Sequence, residues 1–472
     1  MAPWNPSLPW PSATEGGAWS PYWGGYVKLW VRAGIAPGTA FRMGPASRDR
    51  LDDGNVLAGG EVAAPPPGFE QGDRLWIDLS CDVLDVQLAV GASAPDSIFS
   101  KADASTVVVT LADPTGKYDP LNSESPYSYG GHSRLVPGTP VEVFMELVDG
   151  DAGTVSTHTL FTGTADSWGE DWTPRASRRQ CKLTATDVTK HFVNRELPDL
   201  AAAVGAGETV AQRIARICTY FQWSGTVVGP ASGGTVTLAA TLHSGDAWAQ
   251  LNEVLDNELG YVYFTPAGTL RWLNRGTWFV HDLPEFWLGC EAGAYDVLLD
   301  ASPSSMDLQL RNSVHAANEG GTVAAASSPS SISRYGRYDY SRTDLGMATN
   351  AQAATWAQDV LRIGAFPSVR LEDVTFRPAL ELADSWKVWR DFLALELVVD
   401  LVRITWTPPD VPSGHTVDAE SRVVGYLHTI TRRSWEVKLE LVDAGALQYA
   451  GLAFTMGPHA NDRLDAGFVL TS

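Results

Sequence analysis

Apolar and polar residues alternate along much of the chain, the mark of strands with one buried face. Residues 76–83 follow this rhythm, with Trp76, Leu79 and Val83 among polar neighbours. Residues 106–111 (Thr-Val-Val-Val-Thr-Leu) are β-branched and predict a well-buried strand. A turn at Pro137-Gly138 precedes a second alternating run over 141–147. Residues 160–163 open another strand, and 180–185 close the set. A looser alternation over 26–31 predicts one strand inside an otherwise irregular N-terminal stretch. The pattern predicts an all-β barrel or sandwich of about six strands.

The period changes near Glu196. Thr209 and Gln212 have capping-box spacing, and Val210, Ile214, Ile217, Cys218 and Phe221 then share one helical face. Asp246 is placed to cap a second helix carrying Trp248, Leu251, Leu255 and Leu259, with Gly260 placed to end it. A hairpin should follow, with arms at 261–264 and 269–272 around Thr265-Pro266-Ala267-Gly268. Strand patterns return at 305–310, 313–317, 399–407 and 423–442. One helix interrupts them, capped by Thr349 and Gln352 and burying Ala353, Trp356, Val360 and Ile363. Residues 320–331 are rich in Ala, Ser and Gly and predict a flexible loop.

A repeat brackets these elements. Residues 41–57 and 454–470 match at 11 of 17 positions, and each ends in Arg-Leu-Asp-x-Gly-x-Val-Leu. The Asp-x-Gly units predict matching hairpin loops. Leu51, Asp52, Gly54, Val56 and Leu57 would then correspond to Leu464, Asp465, Gly467, Val469 and Leu470, two docking elements for one kind of groove. Between the first copy and the strands, Pro65-Pro66-Pro67-Gly68 makes a linker. Residues 1–40 hold Trp19 and Trp23 among Pro, Gly and Ser, and both are candidate glycan or partner contacts.

The chain's 472 residues exceed one ordinary core, so several domains are expected. A formal charge of −21 lacks the basic stripe of a nucleic-acid grip, yet lets DNA slide past without sticking. The 18 tryptophans suit cores and subunit contacts. Cys81, Cys181, Cys218 and Cys290 are far apart, without Cys-x-x-Cys spacing, so neither zinc nor a disulfide framework is implied. Residues 1–10 have no basic segment followed by an apolar run, so no secretory signal is read there. No apolar run is long enough for a membrane-crossing helix, and no stable membrane association is expected.

Candidate chemistry is sparse. There is no His-Glu-x-x-His and no Gly-x-Ser-x-Gly. His428 and Cys218 sit in strand and helix patterns where structural roles are expected. Glu170 and Asp171, between Trp168 and Trp172, resemble a glycosidase cleft without a second carboxylate at a defined distance. Asp49, Asp52 and Asp53 lack EF-hand spacing, and Ala466 replaces the last of them in the second copy. No catalytic residue, metal or cofactor is expected.

Four stretches resemble the hub-type minor tail proteins of long-tailed phages (siphophages), especially those infecting actinobacteria. The first runs from Thr106 through Asp113-Pro-Thr-Gly116-Lys-Tyr118-Asp119-Pro120 to Val141. The second is Glu258 to Trp272, the third Pro329 to Arg337 with the following helix, and the fourth Val424 to Leu441. They lie in the family's order over roughly residues 75–445. The Trp-rich N-terminus and the end repeat have no counterpart in it.

The resemblance implies a mainly β, multidomain protein with two tail-tube-like β-barrels, small α+β domains between them, and extended terminal arms. The boundaries would be 1–65 for the Trp-rich arm with the first repeat copy and 66–195 for the first barrel. An α+β region would fill 196–290, a second barrel with one helix 291–445, and the C-terminal arm 446–472. It further implies a non-enzymatic baseplate-hub homotrimer at the virion tail tip. Its partners would be a distal tail protein or tail-tube ring, the tape-measure protein and other minor tail or receptor-binding proteins. DNA would only pass through. A carbohydrate-binding adhesin and a cell-wall hydrolase are the rival readings.

Overall fold

The computed structural model describes residues 27–35, 75–92, 101–129, 132–171, 179–197, 202–242, 245–279, 284, 286–289, 294–305, 310–366, 369–380, 385–406 and 417–443. Its largest feature is a 13-stranded sheet. The first half of the chain supplies β1 (Val27–Ile35), β2 (Leu75–Asp78), β3 (Val83–Gly91), β4 (Thr106–Ala112), β5 (Pro140–Val148), β6 (Val155–Asp171) and β7 (Gln180–Thr186). The second half supplies β8 (Phe286–Gly289), β9 (Leu298–Ser305), β10 (Val369–Phe376), β11 (Leu401–Trp406), β12 (Val417–Thr431) and β13 (Trp435–Asp443). Their order is β9-β10-β13-β12-β3-β4-β7-β6-β5-β1-β2, with β8 beside β11 and β11 beside β12. All ladders are antiparallel except β8–β11.

The two halves are therefore not separate closed barrels. Among the described residues no barrel closes, because β3 pairs directly with β12 and joins both halves into one sheet. One edge of β12 changes partner midway. Val417 to Arg422 face β11, whereas Gly425 to Thr431 face β3. At the change point Gly91 has φ +81°, and a Cβ there would strike the Val424 carbonyl. A Cβ on Gly425 would strike the carbonyl of Ala92. Only glycine lets the two backbones come this close. Val398, a β-branched residue at φ 69°, donates its N–H to Val423 O at 2.7 Å beside the seam.

The helix Ser385–Ala394 lies on this sheet. Trp386 reaches Gly150, just past β5, and Trp389 packs on Trp435 of β13 at 4.6 Å between ring centroids. Strands β5 and β13 stand six places apart, roughly 29 Å in a flat sheet. One helix about 10 Å across cannot touch both unless the sheet curves around it. The pattern reading missed this helix, whose apolar face rests on Trp386, Trp389 and Phe392.

Other differences are local. Residues 76–83 are not one strand. Asp78 Oδ1 accepts the Ser80 N–H, and the Ser80 hydroxyl accepts the Val31 N–H at 2.9 Å. These bonds offer the backbone an alternative to the ladder and turn the chain through a short 3₁₀ turn at Ser80–Asp82. The helix Ala247–Glu258 ends two residues before Gly260, with Leu259 in the left-handed position at φ 50°. Gly260 serves instead where Leu273 O approaches too closely for a side chain. Residues 320–331 are not simply a loop, since a strand occupies Ala324–Ser327 and a helix begins at Pro329.

The expected helices and hairpin after Glu196 are present, whereas most of the strand expected at 305–310 lies outside the described residues. Capping boxes begin the helices Val210–Phe221 and Asn350–Gly364 at Thr209 and Thr349. The hairpin pairs Tyr261–Phe264 with Leu270–Leu273. The helix Asn350–Gly364, read as an interruption of β structure, packs instead on a three-stranded sheet of its own, Ala324–Ser327, Ser313–Asn318 and Asp339–Leu345.

Candidate functional site

The proposed docking residues Leu51, Asp52, Gly54, Val56, Leu57, Leu464, Asp465, Gly467, Val469 and Leu470 lie outside the described residues, as do Trp19 and Trp23. The candidate calcium ligands Asp49, Asp52 and Asp53 lie there too.

The best-built polar site is the loop after β4, which carries the Asp-x-x-Gly-x-Tyr motif. Asp113 is fully buried. Its two oxygens accept the backbone N–H groups of Lys117 (2.7 Å) and Tyr118 (2.8 Å), closing the turn. Gly116 takes φ +72° inside that turn, and the Arg179 guanidinium fills the space a Cβ would need. The Tyr118 hydroxyl donates to Asp82 Oδ2 at 2.7 Å, and Lys117 pairs with the same oxygen at 2.5 Å. Tyr118 stacks on Tyr127 (5.7 Å) and Trp168 (6.4 Å). Further along, Asn122, Ser125 and Ser128 side chains bond loop carbonyls.

Arg179 staples this loop to the sheet. Its Nη2 meets Asp119 Oδ2 at 2.5 Å, and its Nε donates to Glu170 Oε2 at 2.8 Å. Burial first, then a hydrogen bond with Asp113, push the Glu170 carboxyl up to about 7. Glu170 is thus engaged with Arg179. Burial raises the Cys181 thiol, whose sulfur sits on Tyr118 O. The loop displays one large apolar side chain, Leu121, at 80% exposure.

A second polar network ties the two small α+β units together. Glu258, fully buried, accepts Thr235 N–H at 3.0 Å and Val236 N–H at 3.2 Å. The Thr235 hydroxyl adds a bond of 2.6 Å. Arg275 lies 3.8 Å from Glu258 and reaches Asp359 of the helix Asn350–Gly364 at 2.9 Å. The Trp356 indole donates to Asp256 O at 2.9 Å, and Ala239 N–H to Gly346 O at 2.8 Å.

The chemical candidates have structural surroundings. His428 is fully buried among Trp389, Phe392, Tyr426 and Trp435, and its Nδ1 accepts the Trp435 indole N–H at 3.0 Å. Burial lowers it to about 3, so it stays neutral. Burial pushes the Cys218 thiol up to about 12. A cleft of about 280 Å³ holds His191 and Arg195, but Arg195 is bonded to Phe221 O and Gln222 Oε1. Among the described residues no group of three His, Cys, Asp or Glu could hold a metal.

No protein-family model and no curated protein sequence matches the chain. The likeness lies in the fold. A tail protein from Neisseria meningitidis MC58 aligns over 83% of this chain and 99% of its own length, at 13% identity and TM-score 0.52. The fold is similar to that of phage tail proteins. The 43 kDa tail protein of prophage MuSo2 from Shewanella oneidensis aligns over 79% and 95%, at 12% identity and TM-score 0.50. The prophage tail protein gp18 from Listeria monocytogenes EGD-e aligns more loosely, over 80% and 95%, at 9% identity and TM-score 0.43.

The sequence reading missed the partners of the loop motif. Glu170 and Arg179 lie over 50 residues beyond Asp113, and no local spacing links them. The capping residues, by contrast, bond within one turn and announce themselves.

Proposed function

We propose that the chain is a non-enzymatic structural protein of a phage tail, serving as a baseplate hub at the tail tip. In this reading it is a homotrimer. It joins the tail-tube ring or distal tail protein to the host-recognition proteins, beside the tape-measure protein, and forms part of the DNA passage. The virion would be that of a siphophage infecting an actinobacterium. The observation carrying the reading is the fold likeness over nearly the whole length of the Neisseria tail protein. The single curved sheet supports it, since a continuous wall suits a passage. A charge of −21 also favours release of DNA over retention.

The end-repeat segments and Trp19 and Trp23 would be the contacts to neighbouring proteins. Size-exclusion chromatography with light scattering tests the oligomer. Three chains per particle is the expected result, and a stable monomer contradicts it.

A further inference from the structure

We propose that the cleft between the ends of the helices Thr189–Val193 and Val210–Phe221 binds a single neutral sugar ring. Its volume is about 280 Å³. Pockets for drug-sized ligands run from about 300 to 1,000 Å³, so this one admits one ring rather than a chain. Its walls set an indole, Trp223, beside the amides of Asn194 and Gln222 and the hydroxyl of Ser224. Amides and hydroxyls both donate and accept hydrogen bonds. Phe192 and Phe264 pack edge-on against Trp223 at 5.4 and 5.7 Å and fix its half-buried ring.

The charges select the ligand. Both helices end at the cleft, which places the negative end of the backbone dipole there, above all that of the 12-residue Val210–Phe221. An anion is therefore disfavoured. No lining residue is a carboxylate, and Arg195 brings a positive charge, so a cation is disfavoured too. Arg195 is itself committed to the helix end, with Nη1 donating to Phe221 O at 3.1 Å and Nη2 to Gln222 Oε1 at 3.4 Å. Burial first, then Lys190, lower His191, so its ring is neutral at pH 7. An uncharged ligand rich in both donors and acceptors fits this lining. A sugar ring is such a ligand, and its C–H face suits an indole.

Gln222 marks the cleft as built. It closes its helix in the left-handed conformation at φ 61°, which glycine adopts with least strain. Leu259 takes the same position after Ala247–Glu258, but its side chain is buried in the core, and packing offsets the strain. Gln222 is exposed and gains no such burial. With its oxygen on Arg195, it offers a ligand its N–H₂ group. The chemistry of the cleft is independent of where the chain sits in a tail.

Saturation-transfer NMR on the full-length protein tests this with glucose, galactose and N-acetylglucosamine, and with inorganic phosphate and tetramethylammonium as charged competitors. At least one sugar should bind with a Kd of about 1 mM, as a ligand of this size allows, and neither competitor should displace it. Gln222→Gly should weaken that binding about tenfold, through loss of one hydrogen-bonding group, while the protein stays folded because glycine suits the left-handed position. Asn194→Ala should weaken it similarly. Transfer from none of the sugars would overturn the proposal. So would displacement by phosphate or tetramethylammonium, or binding that both variants leave unchanged, which would put the sugar elsewhere, such as on Trp19 or Trp23.

Discussion

Two joints hold this molecule together, and they are made differently. The seam between the sheet halves is a backbone joint. Strands β3 and β12 meet through main-chain bonds from Asp85 to Gly91, and two glycines remove the side chains that would keep them apart. The joint between the small α+β units is made largely of side chains: Arg275 with Asp359, Trp356 with Asp256 O, and Gln352 with Thr237. A backbone ladder tolerates almost any side chain except one that invades the seam. A side-chain joint stands or falls with individual charges. The first can run as one wall through both halves, while the second can be tuned residue by residue.

The largest effect should come from invading the seam. Gly91→Val places a β-branched residue at φ +81° against the Val424 carbonyl, and should cost about 4 kcal/mol or more. Urea unfolding should show the loss, and limited proteolysis should cut near the seam while the α+β units persist. Arg275→Ala should cost about 3 kcal/mol, because it leaves the buried Glu258 without its guanidinium. Hydrogen exchange should then quicken in the helix Asn350–Gly364 and leave β3 and β12 unchanged.

A smaller effect concerns the end of β7, where the chain leaves the sheet for the α+β units. Asp187 accepts the Ser105 and Thr189 N–H groups, and burial raises it from 3.8 to about 6. A raised carboxyl favours the folded state only while protonated there. Its contribution is therefore present below pH 4 and lost as pH climbs to 6, by about 2 kcal/mol. Thermal melts between pH 4 and 7 should show this fall, and Asp187→Asn should flatten it. The mildest change is Thr349→Ala. It removes the cap at Gln352 N–H and should cost about 1 kcal/mol in thermal unfolding.

The same contrast explains what the sequence could show. Thr209 with Gln212 and Thr349 with Gln352 bond inside one turn, so their spacing predicts the helices. The hairpin around Gly268 is equally local, with its N–H closing on Thr265 O at 2.8 Å. The Asp113 turn was visible only through its resemblance to the hub family's loop, the residue pattern alone giving a polar loop. The seam was not, because Gly91 and Gly425 are more than 300 residues apart and each looks like an ordinary strand glycine. Period-two alternation reports a buried face but not which strand lies alongside. Two barrels and one continuous sheet therefore share the same pattern. The helix Ser385–Ala394 was hidden because its aromatic face also reads as short strand segments.

Electron microscopy of an intact tail, with the chain located by its density, tests the central claim most directly. The account predicts the chain at the tail tip, arranged around the axis with threefold symmetry and its curved sheet walling the lumen. A tail whose tip lacks the chain, or a chain found only off the axis, would contradict it.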